Sequence, residues 1–157
     1  MSTIFAIDPG TMQSGWVGLQ DGRVTSSGTS SNEHLLERIR VISGYISAGL
    51  HPAMTLAIER FEARGMPIGD ESIETLIWTG RFIQAWHDPA AVVRVKRSAI
   101  KIALCGTAKA KDANIRQALI DRIGAPGTKH KPGPTYGVTS HAWAALAVAA
   151  VVGGGTA

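Results

Sequence analysis

The stretch that most limits how this chain can fold is Ile4-Phe5-Ala6-Ile7-Asp8-Pro9-Gly10-Thr11, followed by Gly15-Trp16-Val17-Gly18-Leu19. An apolar run of strand character ends on a carboxylate, and a Pro-Gly turn sends the chain back into a second apolar run. Asp8 therefore belongs at the end of a buried strand, on a rigid element and open to a ligand. An ionised carboxylate there costs on the order of several kcal/mol unless something positive offsets it. What offsets Asp8 is thus the question on which function turns.

The rest of the chain supplies the elements around that strand. Residues 3–7, 14–19 and 23–28 read as short strands, the last two joined at Gln20-Asp21-Gly22, where Asp-Gly is a strong hairpin signal. Asn32 is suited to cap a helix carrying Leu35, Leu36, Ile39, Ile42 and Ile46 at spacings of three and four. Residues 54–58 form a fourth strand that ends on Glu59. Asp70 or Ser72 opens a helix through Ile73, Leu76, Ile77, Phe82, Ile83 and Trp86. Residues 91–95 give a fifth strand, and 110–123 a helix stopped by Gly124. After a Gly-, Pro- and Lys-rich loop over 124–137, a last helix runs from about Ser140 through Val151. Three antiparallel strands followed by α/β units predict a mixed five-stranded sheet flanked by helices.

At 157 residues the chain is most simply one domain over 1–152, with Gly-Gly-Gly-Thr-Ala at 153–157 as a flexible tail. Its single cysteine, Cys105, excludes an internal disulfide framework and a cysteine-rich zinc site, and fits a reducing, cytoplasmic setting. No basic segment followed by an apolar one opens the chain, which argues against secretion. The longest apolar stretch, 142–152, is too short to span a bilayer. Charge is segregated. Ten of the 16 Lys and Arg fall between Arg94 and Lys131, opposed only by Asp112 and Asp121, as on a polyanion-binding face or a plain solvated basic surface.

Three metal-competent side chains hold comparable positions. Asp8 ends the first strand, Glu59 ends the fourth, and His141 lies in the first turn of the last helix, in Ser140-His141-Ala142-Trp143. If the first and fourth strands are neighbours, Asp8 and Glu59 converge and the helix start brings His141 across them. Carboxylates plus one imidazole suit Mg²⁺ or Mn²⁺ better than structural zinc. Two such ions roughly 3.5–4 Å apart would activate water and stabilise the leaving oxygen in phosphodiester hydrolysis.

These residues resemble the RuvC-type Holliday-junction resolvases of the RNase H-like nuclease superfamily, particularly small phage or prophage members. Ile7-Asp8-Pro9-Gly10 with Gly15 resembles the first catalytic motif and Ala57-Ile58-Glu59 the second. The stretch from Ile100 through Lys111 resembles the region that supplies basic residues, with Lys101 and Lys111 at its two lysines. The last motif matches at His141 and Ala145-Leu146-Ala147. The resemblance implies an RNase H-like fold and a homodimeric endonuclease acting on four-way junctions or related branched DNA, with two Mg²⁺ (Mn²⁺ substituting) and no nucleotide cofactor. It assigns Asp8, Glu59 and His141 as metal ligands and catalytic residues, with Lys111. Lys101 and Lys111 become DNA contacts by the same resemblance, which also puts the loop holding Arg64 near the junction, while the charge pattern of the basic segment adds Arg97, Lys109, Lys129 and Lys131. One departure matters. The family's last helix carries a second ligand three residues after the first, usually Asp, and here that position is Ala144. Either water or another carboxylate such as Glu62 completes the shell, or the chain is a junction-binding protein with weakened or lost cleavage.

The loop at 61–69 is either a connector or, by resemblance, a segment that wedges into the junction centre. Trp78, Phe82 and Trp86, four apart, mark either a core face or a dimer interface. Asp8-Pro9-Gly10-Thr11 also resembles the first phosphate loop of sugar kinases and actin-like ATPases, but these need a second domain and a second phosphate loop, and neither is legible here.

Overall fold

The computed structural model describes residues 2–154. Strands β1 (Thr3–Asp8), β2 (Gln13–Gln20) and β3 (Arg23–Ser31) lead into helix α1 (Asn32–Ser47). Then follow β4 (Thr55–Arg60), α2 (Asp70–Ala85), a 3₁₀ turn at Pro89–Ala91, β5 (Val93–Lys96), α3 (Arg97–Cys105), α4 (Asp112–Ile123) and α5 (Ala142–Gly153). The strands form one mixed sheet in the order β3-β2-β1-β4-β5. The first three are antiparallel, while β4 runs parallel to β1 and β5 parallel to β4. The hairpin between β2 and β3 turns through Asp21 and Gly22, both with positive φ, as a tight turn that preserves strand twist requires.

Alternation along the central strands divides the core in two. Phe5, Ile7, Trp16, Leu56 and Ile58 face α1 and α2, where Trp78, Phe82 and Trp86 are buried among them. Those aromatic residues are therefore core, and α2 turns Ile73, Leu76 and Ile77 outward instead. On the opposite face Ile4, Ala6, Val17, Leu19 and Ala57 pack against α3, α4 and α5. Helix α5 is apolar on every side and buried almost throughout, so its alanines let it lie directly on β1 and β2. Among the described residues no helix is long and apolar enough to cross a membrane. Of the expected 153–157 tail, Gly153 closes α5, Gly154 caps it, and 155–157 lie outside the described residues.

Three local readings differ from the sequence expectation. The cap of α1 is Ser31, whose hydroxyl accepts from His34 N–H. Asn32 is fully buried and serves the loop after Asp8: its Nδ2 donates to Gly10 O at 2.9 Å, and its Oδ1 accepts from Ser14 Oγ at 2.6 Å. Ser14 in turn accepts from Gly10 N–H at 3.1 Å, so the turn is braced by a closed polar network. Second, residues 97–105 are helical, with Ile100 and Leu104 buried one turn apart and Gly106 ending the helix at φ 76°. Third, α4 starts at Asp112 rather than at Ala110, where Asn114 Oδ1 accepts from Lys111 N–H at 2.9 Å.

Candidate active site

The register of the parallel pair decides where the two carboxylates meet. Ile7 lies opposite Ile58, so the next residues, Asp8 and Glu59, stand level at the carboxyl ends of adjacent strands. Both continue the face occupied by Ala6 and Ala57, toward α3, α4 and α5. Ligands of parallel sheets collect at this end of the strands. A cleft of about 400 Å³ opens there, lined by Asp8, Glu59, Arg97, Asp112, Arg116 and His141, with Trp143 and Ala144 in its wall. Arg97 is the first residue of α3, Asp112 the first of α4 and His141 the N-cap of α5. Three helix N-termini thus face one cleft, and their partial positive charge favours anions.

His141 reaches the carboxylates because Gly15 is directly beneath it. Gly15 is the cross-strand partner of Asp8, and a Cβ there would collide with the His141 carbonyl. The chain enters α5 through Ser140 at φ 47°, a conformation rare outside glycine, which turns the next residue over β2. His141 Nδ1 consequently lies 3.7 Å from Asp8 Oδ2, and its ring is open to solvent.

The electrostatics are those of two anions forced together. Burial pushes the Asp8 carboxyl up to about 6, against the attraction of Arg97. Burial and the neighbouring Asp8 charge push Glu59 up to about 7. Arg97 answers part of this charge. Its Nη1 lies 3.4 Å from Glu59 Oε2 and its Nη2 is ion-paired with Asp112. Burial alone would lower the Arg97 pKa, but Glu59 and Asp112 outweigh it and hold the guanidinium above its usual value.

Two adjacent half-buried carboxylates short of positive charge suit one hard divalent cation, which commonly keeps several waters and takes one or two carboxylates. Among the described residues no three His, Cys, Asp or Glu side chains form a ready-made metal cluster. His141 stands beside the pair rather than closing a three-ligand shell. Ala144 lines the cleft and contributes no oxygen. Glu62 does not line it. Its carboxylate accepts from Ser98 N–H at 3.2 Å and Ser98 Oγ at 2.8 Å, capping α3, and the Ser98 hydroxyl holds it below the usual carboxylate range.

Of the basic residues expected to touch DNA, only Arg97 is in the cleft. Lys111 caps α4 at its rim, Lys109 precedes it on the exposed link, and Lys101 is one turn into α3. Arg64 sits in the loop after β4, 3.6 Å from Glu62. Lys129 and Lys131 are exposed on a small hairpin closed by a bridge between Gly127 and Pro132. Two cleft residues escaped the sequence reading. Asp112 reads there as a minor counter-charge in a basic segment. Arg116 stacks over Trp143, its guanidinium 4.7 Å from the ring centroid. The signal for both was the helical spacing that puts 112, 115 and 116 on one face.

No protein-family model matches the chain, and no curated protein matches its sequence. Solved structures do. The fold is similar to a Thermus thermophilus RuvC structure, at 18% identity and TM-score 0.65 over 94% of this chain and 90% of that one. It is similar also to T. thermophilus RuvC in complex with Holliday junction substrate, at 18% identity and TM-score 0.66 over 95% and 91% of the respective chains. The chain therefore has the RuvC-type, RNase H-like fold.

Proposed function

We infer that this chain is a divalent-metal-dependent endonuclease of branched DNA, with four-way junctions as its substrate class. The observation that carries the reading is the half-buried Asp8–Glu59 pair at the carboxyl ends of adjacent parallel strands, deficient in positive charge and flanked by three helix N-termini. A Mg²⁺ or Mn²⁺ ion there would supply Lewis-acid activation of water and stabilisation of the leaving oxygen. Asp8 and Glu59 would hold it in their ionised forms. His141, within 3.7 Å of Asp8 and open to solvent, is positioned to move a proton between water and bulk solvent, and would serve a second ion together with waters. Arg97, Arg116, Lys111 and the amino ends of α3, α4 and α5 hold the phosphate. The exposed Lys129 and Lys131 extend the positive surface toward a duplex arm.

Homodimerisation is supported by the outer face of α2, where Ile73, Leu76 and Ile77 are 46%, 40% and 50% exposed. A two-fold pair would present two clefts to one junction.

The test is cleavage of a labelled four-way junction in Mg²⁺ and in Mn²⁺ by the wild type, Asp8→Asn and Ala144→Asp. Metal-dependent incision lost in Asp8→Asn is expected. The bare wall at Ala144 favours a second reading, a junction-binding protein that does not cut. If wild type and Ala144→Asp both bind the junction and neither incises it, the nuclease reading is sunk and the binding reading stands.

A further inference from the structure

Arg97 is shared between two acids of opposite character. The Glu59 side chain is 15% exposed and belongs to the carboxylate pair, whereas that of Asp112 is 84% exposed and faces solvent. The Arg97 charge also acts on Asp8. A cation at the first position of a helix stands against the positive end of the helix dipole, so local helix stability gives no reason for Arg there. The acids give the reason, and they occupy the two edges of one planar guanidinium.

We propose that Arg97 is a transferable cation: it neutralises Glu59 in the metal-free protein and, when metal arrives, swings on its Asp112 contact to take a phosphate oxygen of the substrate. This rests on the metal-dependent reading above and assigns one residue of that site its role, that of a phosphate-binding residue. The geometry permits the exchange. The Arg97 backbone is fixed, because the neighbouring Ser98 is held by Glu62 through both its N–H and its hydroxyl. Only the side chain has to move. Its five donors lie in a rigid fork, so one edge remains on Asp112 while the other leaves Glu59 and faces the cleft. The edge released is matched to the bidentate geometry of phosphate. Arg116 is built differently, since its guanidinium rests on Trp143 and an incoming metal ion does not displace it. A guanidinium and a divalent ion repel each other at Glu59, so the ion pair competes with metal in the absence of DNA.

The test is Mn²⁺ binding to the 157-residue chain without DNA, read from the free-ion electron paramagnetic resonance signal. Arg97→Gln is expected to bind Mn²⁺ about tenfold tighter than wild type, the scale set by removing a unit charge beside a divalent ion at a half-buried site. The same variant should bind a four-way junction more weakly. Asp112→Asn, which leaves Arg97 wholly to Glu59, is expected to weaken Mn²⁺ binding severalfold, and in the Arg97→Gln background it should have no effect. Unchanged or weaker Mn²⁺ binding by Arg97→Gln overturns the proposal. So does an Asp112→Asn effect that persists without Arg97, because Asp112 would then be acting on the ion directly. Should Arg97→Gln fail to fold by circular dichroism, Arg97→Met carries the test. Like Gln it removes the charge beside Glu59, Mn²⁺ affinity should again rise, and an unchanged value refutes the exchange. Asp8→Asn separates the two layers of the argument. If Asp8→Asn abolishes Mn²⁺ binding while the Arg97 variants leave it alone, only the exchange fails. If wild type and Asp8→Asn bind Mn²⁺ equally, the metal reading fails and the exchange with it.

Discussion

An Asp8→Asn chain, free of metal at pH 8, is expected to need more urea to unfold than wild type, although the substitution removes a residue at the centre of the site. Burial raises the Asp8 pKa from 3.8 to about 6. One pKa unit is worth about 1.4 kcal/mol, so the ionised Asp8 costs the folded state about 3 kcal/mol at any pH well above 6. Between the unfolded and folded values the native protein binds more protons than the unfolded chain, so stability falls as pH rises through that window. Below 3.8 both states are protonated and the penalty vanishes. The attraction of Arg97 is already contained in the net shift. The gain from Asn should therefore be about 3 kcal/mol at pH 8 and below about 1 kcal/mol near pH 4. It should add only in part to the gain from Glu59→Gln, because the burial cost belongs to each residue and only the interaction between the two carboxyls is shared. Urea unfolding followed by circular dichroism in chelator measures each value. Added Mg²⁺ should stabilise wild type by mass action and leave the variant unmoved. A variant less stable than wild type at pH 8, or a gain that does not shrink on acidification, would refute the account of Asp8 as a half-buried carboxylate only partly compensated by Arg97.

Other substitutions test how the cleft is held and what it meets. Gly15→Ala forces the start of α5 off β2, costing about 1–3 kcal/mol in urea unfolding and weakening Mn²⁺ binding and junction incision together. Unfolding at the wild-type midpoint would show that His141 does not need that close approach. Asn32→Ala strips a partner from Ser14 and leaves the Gly10 carbonyl unpaired, and a loss of about 2 kcal/mol is expected, with faster hydrogen exchange at Gly10 as the local readout. Lys129→Ala and Lys131→Ala should each reduce the slope of log affinity against log salt for junction binding by about 0.9, and unchanged slopes would remove that hairpin from the DNA path. Ile77→Glu should shift sedimentation from dimer to monomer with the fold intact, whereas a wild-type chain that sediments as a monomer at all concentrations refutes the α2 interface.

How far the site was legible follows from how local each signal is. Asp8 and Glu59 each end an apolar run, and the chemistry of a few consecutive residues puts them at strand ends whatever else the chain does. The apolar stretch that becomes α5 announces burial in the same way, and a single turn carries the Asp-Gly hairpin. Arg97 and Asp112 gave no such signal. The helix that starts at Arg97 is only nine residues long, with two buried positions to mark it, and it hid inside a basic segment that reads as surface. Asn32 was legible as a capping type but not as a partner of Gly10 and Ser14, because that use depends on where the β1–β2 turn lies.

By itself, then, the sequence determined which residues are rigid, buried and acidic, since period, turn chemistry and apolar runs act over a few residues at a time. The tertiary structure alone decided that Asp8 meets Glu59 across about fifty residues of chain, through the parallel register of β1 and β4. It also decided that Arg97, Asp112 and His141 converge there, because the helices carrying them all begin at the carboxyl end of the same sheet. Strand pairing and helix packing set those distances, and neither is encoded within any single segment.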